Sequence, residues 1–172
     1  MIKIIGAMLV LFAGGMIGFQ QAARFAARPR QLRQLGFAVS QLETEIGYGY
    51  TPLPDALIRA VKTLSEPVAG LFIRAAALLE DAKGLSFNEC WEQAVKEHWQ
   101  HTAMRENEKA VLLRLGSSLG ISDREDQLKH LRLALLQLKS EEDAARDDQA
   151  RYEKLSKSLG ILAAALIVIL ML

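Results

Sequence analysis

DREDQLKHLRLALLQLKSEEDAARDDQARYEKLSKSL, from Asp123 to Leu159, contains neither proline nor glycine. Leucine, alanine, glutamate, glutamine, lysine and arginine dominate it, and these residues lose little freedom in a helix. Leu131, Leu135 and Leu138 recur at helical spacing and mark the side expected to bury. A run this long without a helix breaker exceeds the ordinary globular helix. It leads directly into SLGILAAALIVILML, the uncharged apolar stretch from Ser158 to Leu172. A helix that begins in charged sequence and ends in apolar sequence reads as one that passes from water into a bilayer.

The other end of the chain carries a matching stretch, IIGAMLVLFAGGMIGFQQAA, from Ile4 to Ala23. Its length is close to the ~20 residues that cross ~30 Å of hydrocarbon. Four glycines with Gln20 and Gln21 weaken its insertion, whereas the C-terminal stretch has no such dilution but spans only about 22 Å at ~1.5 Å per residue. Lys154 and Lys157 then have to snorkel, or the bilayer has to thin. No small-x-small pair occurs from Gly18 through Ala27, which argues against signal-peptide cleavage. Charged, helix-like sequence runs almost to the C-terminal stretch, which argues against a lipid-anchor signal there. Arg24, Arg28, Arg30 and Arg33 follow the first stretch, and Arg151, Lys154 and Lys157 precede the last. The positive-inside rule therefore places the middle in the cytoplasm and both termini on the far side. The expected division is an N-terminal transmembrane helix over residues 1–23, a cytoplasmic helical bundle over 24–157 and a C-terminal transmembrane segment over 158–172.

The middle holds all 20 acidic residues and every basic residue except Lys3, so it is formally neutral. That argues against a nucleic-acid binder, which needs a basic bias. The single Cys90 cannot build a disulfide framework and suits a reducing compartment. Arg28-Pro29 predicts a kink or break, and a helix then follows from about Gln31 to Ile46 with Leu35, Val39, Leu42 and Ile46 on one stripe. Thr51 is placed to cap the next helix with Pro52 at its first position, and Leu57, Ile58, Val61 and Leu64 supply its apolar side. Ser65-Glu66-Pro67 opens a third helix ending near Gly84. Ser86 and Glu89 form a capping box, with Leu85 stapling onto Cys90. The helix they start carries Trp91, Val95 and Trp99. A shorter helix from about Glu106 is ended by Gly120, and Ser122 with Glu125 forms a second capping box ahead of the long last helix. The fold class is all-α, an antiparallel helical bundle flanked by an N-terminal and a C-terminal transmembrane helix.

Little in this sequence points to catalysis. His98 and His101 lie one turn apart beside Glu97, but neither zincin order is present and no acid completes a metal set on that face. Gly47-x-Gly49 lacks the Lys-Ser/Thr of a P-loop. Cys90 has no base partner in sequence. Glu43 with Glu45, and Asp123 with Glu125 and Asp126, are better read as solvated or dipole-stabilising carboxylates than as acid–base pairs. No catalytic, cofactor-binding or metal residue is expected. A membrane-bound enzyme using the histidine and carboxylate cluster stands as the alternative.

Binding is better supported. Gly14-x-x-x-Gly18 and Gly160-x-x-x-Ala164 let another membrane helix approach closely, which suits packing against each other or other subunits. The basic run Arg24–Arg33 is read as lying against anionic headgroups. The acidic residues from Glu141 to Asp148 face a basic partner or water. Tyr48 and Tyr50 around the Gly47–Pro54 turn, and Asp123, Arg124, Glu125 and Asp126 at the opening of the last helix, are the candidate partner contacts.

RPRQLRQL (Arg28–Leu35), LETEIGYGYTPLPDAL (Leu42–Leu57) and LGSSLGISDREDQLKHLRLAL (Leu115–Leu135) closely resemble the stage III sporulation protein AB family of endospore-forming bacteria. The likeness extends over the whole chain, and Ser122–Gln127 and Thr51–Pro54 are its most specific parts. It implies a component, in the mother-cell membrane around the forespore, of the channel that supports the forespore. That family is similar to the platform proteins of type II secretion and type IV pilus machines, whose cytoplasmic helical domains contact a secretion-type ATPase. The resemblance therefore implies as partners such an ATPase, other membrane components of the channel and the lipid bilayer. Nucleic acid is not expected, and self-association is left open.

Overall fold

The scarcity of proline and the wealth of leucine and alanine produce helix and no strand among the described residues. The computed structural model describes the backbone of residues 2–48, 51–81, 84–120 and 123–171, and the side chains of 25–48, 51–81, 84–120 and 123–155. Among the described residues six helices follow one another: α1 (Ile2–Tyr48), α2 (Leu53–Ala60), α3 (Val68–Asp81), α4 (Phe87–His98), α5 (Glu106–Ser118) and α6 (Arg124–Met171). A 3-10 turn, Trp99–His101, follows α4. With 47 and 48 residues, α1 and α6 each run about 70 Å at ~1.5 Å per residue.

These two helices pair antiparallel, and their side chains give the register. Arg124 reaches the Ile46 carbonyl, Arg132 pairs with Glu43, Arg33 with Glu142 and Arg28 with Asp148, and Phe25 stacks on Tyr152 with ring centroids 4.5 Å apart. Positions fall along α1 as they rise along α6. Leu35, Val39 and Leu42 of α1 and Leu131 and Leu138 of α6 are buried in the common core, as their spacing predicts; Leu32 joins them, and Ile46 is only partly buried. Leu135 is only partly buried against it.

The shorter helices pack in sequence order, α1 on α2, α2 on α3, α3 on α4, α4 on α5 and α5 on α6. Trp91 ties this layer together. Its ring meets Phe72 edge-on at 5.2 Å and stacks on Phe87 at 5.7 Å, and its indole N–H donates to the Leu112 carbonyl at 2.7 Å. Gly116 of α5 lies directly under that indole, where no Cβ fits. Gly120, at φ +83°, turns the chain out of α5 in a conformation that favours glycine.

Several local expectations are corrected. α1 does not break at Arg28-Pro29 but continues through the proline to Tyr48. The ~3 kcal/mol cost of an internal proline is met by tertiary contacts before it, at Phe25 and Arg28, and after it, at Leu32 and Arg33. Pro52, rather than Thr51, occupies the cap position of α2, and the Thr51 hydroxyl donates to Glu45 instead. Ile58 turns away from the core and is exposed, because α2 is short and only its Ala56, Leu57 and Ala60 face is covered. The Ser86–Glu89 capping box forms, but Leu85 is half exposed while Cys90 is fully buried. At α6 the cap is Asp123, whose carboxylate accepts the Asp126 N–H at 2.9 Å; Ser122 lies outside the described residues.

Among the described residues no helix is long and apolar enough to cross a membrane. The side chains of Ile4–Ala23 and Ser158–Leu172, with the packing residues Gly14, Gly18, Gly160 and Ala164, lie outside them. The backbone of α1 and of α6 is helical across residues 23–24 and 157–158, so the expected domain boundaries fall inside continuous helices.

Two glycine substitutions should separate packing from propensity. Gly116→Ala drives a methyl into the Trp91 indole and should cost about 1–3 kcal/mol in a urea titration. Gly36→Ala meets nothing within 4 Å on helix α1 and should instead add up to about 1 kcal/mol.

Candidate functional site

The basic run of α1 and the acidic run of α6 meet each other. Arg28 is 4% exposed and Glu108 is 0% exposed, and together they form the most buried ion pair described. Nε and Nη2 of Arg28 both donate to Glu108 Oε1, at 2.9 and 2.5 Å. The other oxygen of Glu108 accepts the Arg105 backbone N–H at 2.6 Å, which caps the start of α5. Arg28 also reaches Glu141 at 3.0 Å and Asp148 at 3.3 Å, and Arg105 adds a second cation to Asp148 at 3.0 Å. One guanidinium thus joins α1, α5 and α6. The reading of these runs as facing headgroups or a basic partner is corrected for the buried Arg28 and Glu142. Both are engaged inside the molecule, and Arg33, Glu141 and Asp148 pair within it while staying partly exposed, since two opposite runs on adjacent helices are each other's nearest counter-charges.

One turn further along, Glu142 is the acceptor for Arg33, Lys139 and Arg146. Burial alone would push its carboxyl up, but the hydrogen bonds from Arg33, Arg146 and Lys139 prevail and hold it below the ordinary carboxylate range.

The two candidate contact loops form one surface at the opposite end of the helix pair. Tyr48 closes α1 and is 88% exposed. Asp123 caps α6, and Arg124 donates to the Ile46 carbonyl at 2.9 Å and to the Gly47 carbonyl. These are among the last carbonyls of α1, which the helix itself cannot satisfy. Arg124 is therefore a clamp between the two helix ends, and Glu125 and Asp126 are exposed beside it. Tyr50 lies outside the described residues. Sequence separation hides this juxtaposition, and only the antiparallel register brings residue 48 to residue 124.

The histidine and carboxylate cluster does not assemble around Glu97. Its carboxylate takes Arg74 at 2.7 Å and Gln93 at 2.8 Å, and chiefly the Arg74 hydrogen bond lowers its pKa to about 2. His98 ends α4 with Nδ1 buried and unpartnered, while His101 is exposed in the following turn. Among the described residues no group of three or more His, Cys, Asp and Glu is placed to hold a metal ion. Cys90 is buried, and that burial pushes its thiol up.

Glu108→Ala leaves the Arg28 guanidinium short of its buried counter-charge and should cost about 3–5 kcal/mol in a denaturant titration. Arg28→Met combined with Glu108→Leu should lose less than Glu108→Ala alone, because no buried charge is then stranded. The lowered Glu142 carboxyl contributes stability that is complete above its ordinary value of 4.5 and is lost as pH falls toward its folded value. Melting temperature should therefore drop as acid is added below that point, and Glu142→Gln should flatten the drop.

Comparison with known proteins places the chain among relatives. The family model described as Stage III sporulation protein AB matches residues 3–172. A Bacillus subtilis (strain 168) protein named Stage III sporulation protein AB is 40% identical over 172 residues, covering 100% of both chains. A solved structure of Stage III sporulation protein AB (SpoIIIAB) superposes with a TM-score of 0.68 at 40% identity, covering 73% of this chain and 98% of that one. On a match that spans nearly its whole length, the chain belongs to the stage III sporulation protein AB family.

Proposed function

We propose that this protein is a non-enzymatic membrane scaffold of a sporulation channel between mother cell and forespore. Both apolar ends anchor it in the mother-cell membrane, and the cytoplasmic bundle contacts a secretion-type ATPase at the Tyr48 and Asp123–Asp126 end. The observation that carries this reading is the register of α1 on α6. Phe25 meets Tyr152, so continuing both helices brings the apolar stretches Ile4–Ala23 and Ser158–Leu172 alongside one another at one end of the bundle. The cations that flank them, Arg30 and Arg151 among them, are exposed at that same end, as the positive-inside arrangement asks. The surface of Tyr48, Glu125 and Asp126 lies at the other end, farthest from the bilayer. Family membership supports the sporulation role, and the platform likeness supports the ATPase and the other channel components as partners.

The test has a topological and a binding arm. Cys90 is buried and unsuited to labelling, so Asn107→Cys in a Cys90→Ala background supplies an exposed thiol. A membrane-impermeant maleimide should label it only after the mother-cell membrane is permeabilised; labelling of intact cells would invert the topology. In capture of the cognate ATPase, Tyr48→Ala and Asp126→Arg should weaken retention about tenfold while melting stays at the wild-type value. Full retention by both would remove this end as the contact. Loss of sporulation in a folded His98→Ala/His101→Ala variant would favour the enzyme reading instead.

A further inference from the structure

On the side of the helix pair turned away from the short helices, α1 and α6 part to leave an open groove of about 540 Å³. Its apolar wall is Leu32, Gly36, Leu135, Leu136 and Leu138, and Arg33, Arg132 and Lys139 stand along its rim with one acid, Glu142. Leu136 is 69% exposed there, well beyond what a core helix of this packing needs. Gly36 is the informative residue. It sits mid-helix, where glycine is the poorest former after proline, and an added Cβ would meet nothing within 4 Å. No turn, positive φ or close approach requires a glycine at that point. Its effect is to keep the groove floor open.

The rim has a sign. Its two arginines are paired with acids that lie inward, whereas Lys139, with a side chain 57% exposed, pairs both with Glu142 and with the equally exposed Asp143. Arg33 and Arg132 have side chains 66% and 68% exposed, against 8% for Glu142 and 22% for Glu43. Glu142 and Glu43 are screened from solvent and the two arginines face it, so an approaching molecule meets the positive charge of Arg33 and Arg132 beside an apolar floor. Two copies of this chain face to face would oppose the same cations, which disfavours self-docking. Gly36 lies 13 positions beyond Ala23, about 20 Å along α1, so a bilayer holding Ile4–Ala23 does not reach the groove.

We infer that the groove is a docking site for an acidic amphipathic helix of a partner protein. Its apolar residues enter over Gly36 between the two long helices, and carboxylates on its flanks meet Arg33 and Arg132. This is helix-in-groove recognition, with anchors on one face of the guest and charge fixing its orientation. The inference rests on the scaffold reading only in taking the occupant to be a protein. It concerns a surface distinct from the Tyr48 end, so ATPase capture and groove binding fail separately.

The experiment uses the full chain in detergent micelles and a fluorescent helical peptide with leucines on one face and glutamates on both flanks. A second peptide carries lysine in place of every glutamate. The glutamate peptide should bind at least about tenfold tighter than the lysine peptide. Gly36→Leu fills the floor and should weaken glutamate-peptide binding at least about tenfold, with melting at or above the wild-type temperature. Arg132→Glu should weaken it and narrow the difference between the peptides. If Gly36→Leu does not fold, Leu136→Glu at an exposed position reads the same surface, with the same loss expected. Equal binding of the two peptides, or binding unchanged in the folded groove variant, overturns the inference. A change in sedimentation of the chain alone on filling the groove would assign the surface to a second copy and overturn it as well.

Discussion

The buried pair of Arg28 and Glu108 is the constraint on which the arrangement depends. Withdrawing a guanidinium from water costs several kcal/mol even after relaxation, so it must find a carboxylate wherever the helix carries it. Glu108 is obliged on its other oxygen as well, where it caps α5 through the Arg105 N–H. The start of α5 is thereby held against one turn of α1. Glu141 and Asp148 then fix which turn of α6 arrives at the same point. A slip of α6 by one residue would rotate those carboxylates by about 100° away from Arg28. Well-packed apolar residues at these places would give comparable stability. What the ionic version adds is a unique register among three helices.

From that register follow the two unlike ends and two unlike sides of the helix pair. One end carries the apolar stretches, and the other carries Tyr48 and the opening of α6, held together by Arg124. One side is covered by the four short helices, whose packing centres on Trp91. The uncovered side cannot be wholly polar, because Leu32 and Leu138 belong to the same stripes that build the core. The groove is thus the place where the core comes to the surface, and Arg33, Arg132 and Lys139 border it with charge.

The helices themselves were largely legible in the sequence, because capping and breaking are local chemistry. Ser86 with Glu89, Gly120 after α5 and the unbroken run after Asp123 all read correctly from neighbouring residues. Errors arose where a side chain had a distant alternative. Thr51 could cap α2 but hydrogen-bonds to Glu45, and Ile58 fits a helical stripe on a helix too short to bury it. The charge cluster was visible as two opposite runs, yet their meeting depends on a contact between residues 28 and 148 that no local pattern encodes. The joining of Tyr48 and Arg124 into one surface was hidden for the same reason. Glu108 carried even less signal, since one glutamate among many near a helix start looks like a dipole-stabilising residue until its second oxygen is seen to hold Arg28.

Pro29 shows how far tertiary contacts override local preference. The ring removes the N–H that would serve the Phe25 carbonyl and crowds the preceding turn, and in an isolated peptide the helix would break there. In the folded chain Phe25 is fixed by stacking on Tyr152, and Arg28 is fixed by three carboxylates of α5 and α6. With Phe25 and Arg28 tethered before the proline and Leu32 and Arg33 held after it, the backbone has no freedom to turn aside. The direction in which residues 2–24 leave the bundle is consequently set by side chains as far away as Glu108 and Asp148, and not by the sequence around the proline. Loosening the buried pair would therefore act first on the junction between the bundle and its apolar end, because that is where the local preference of the chain opposes the observed path.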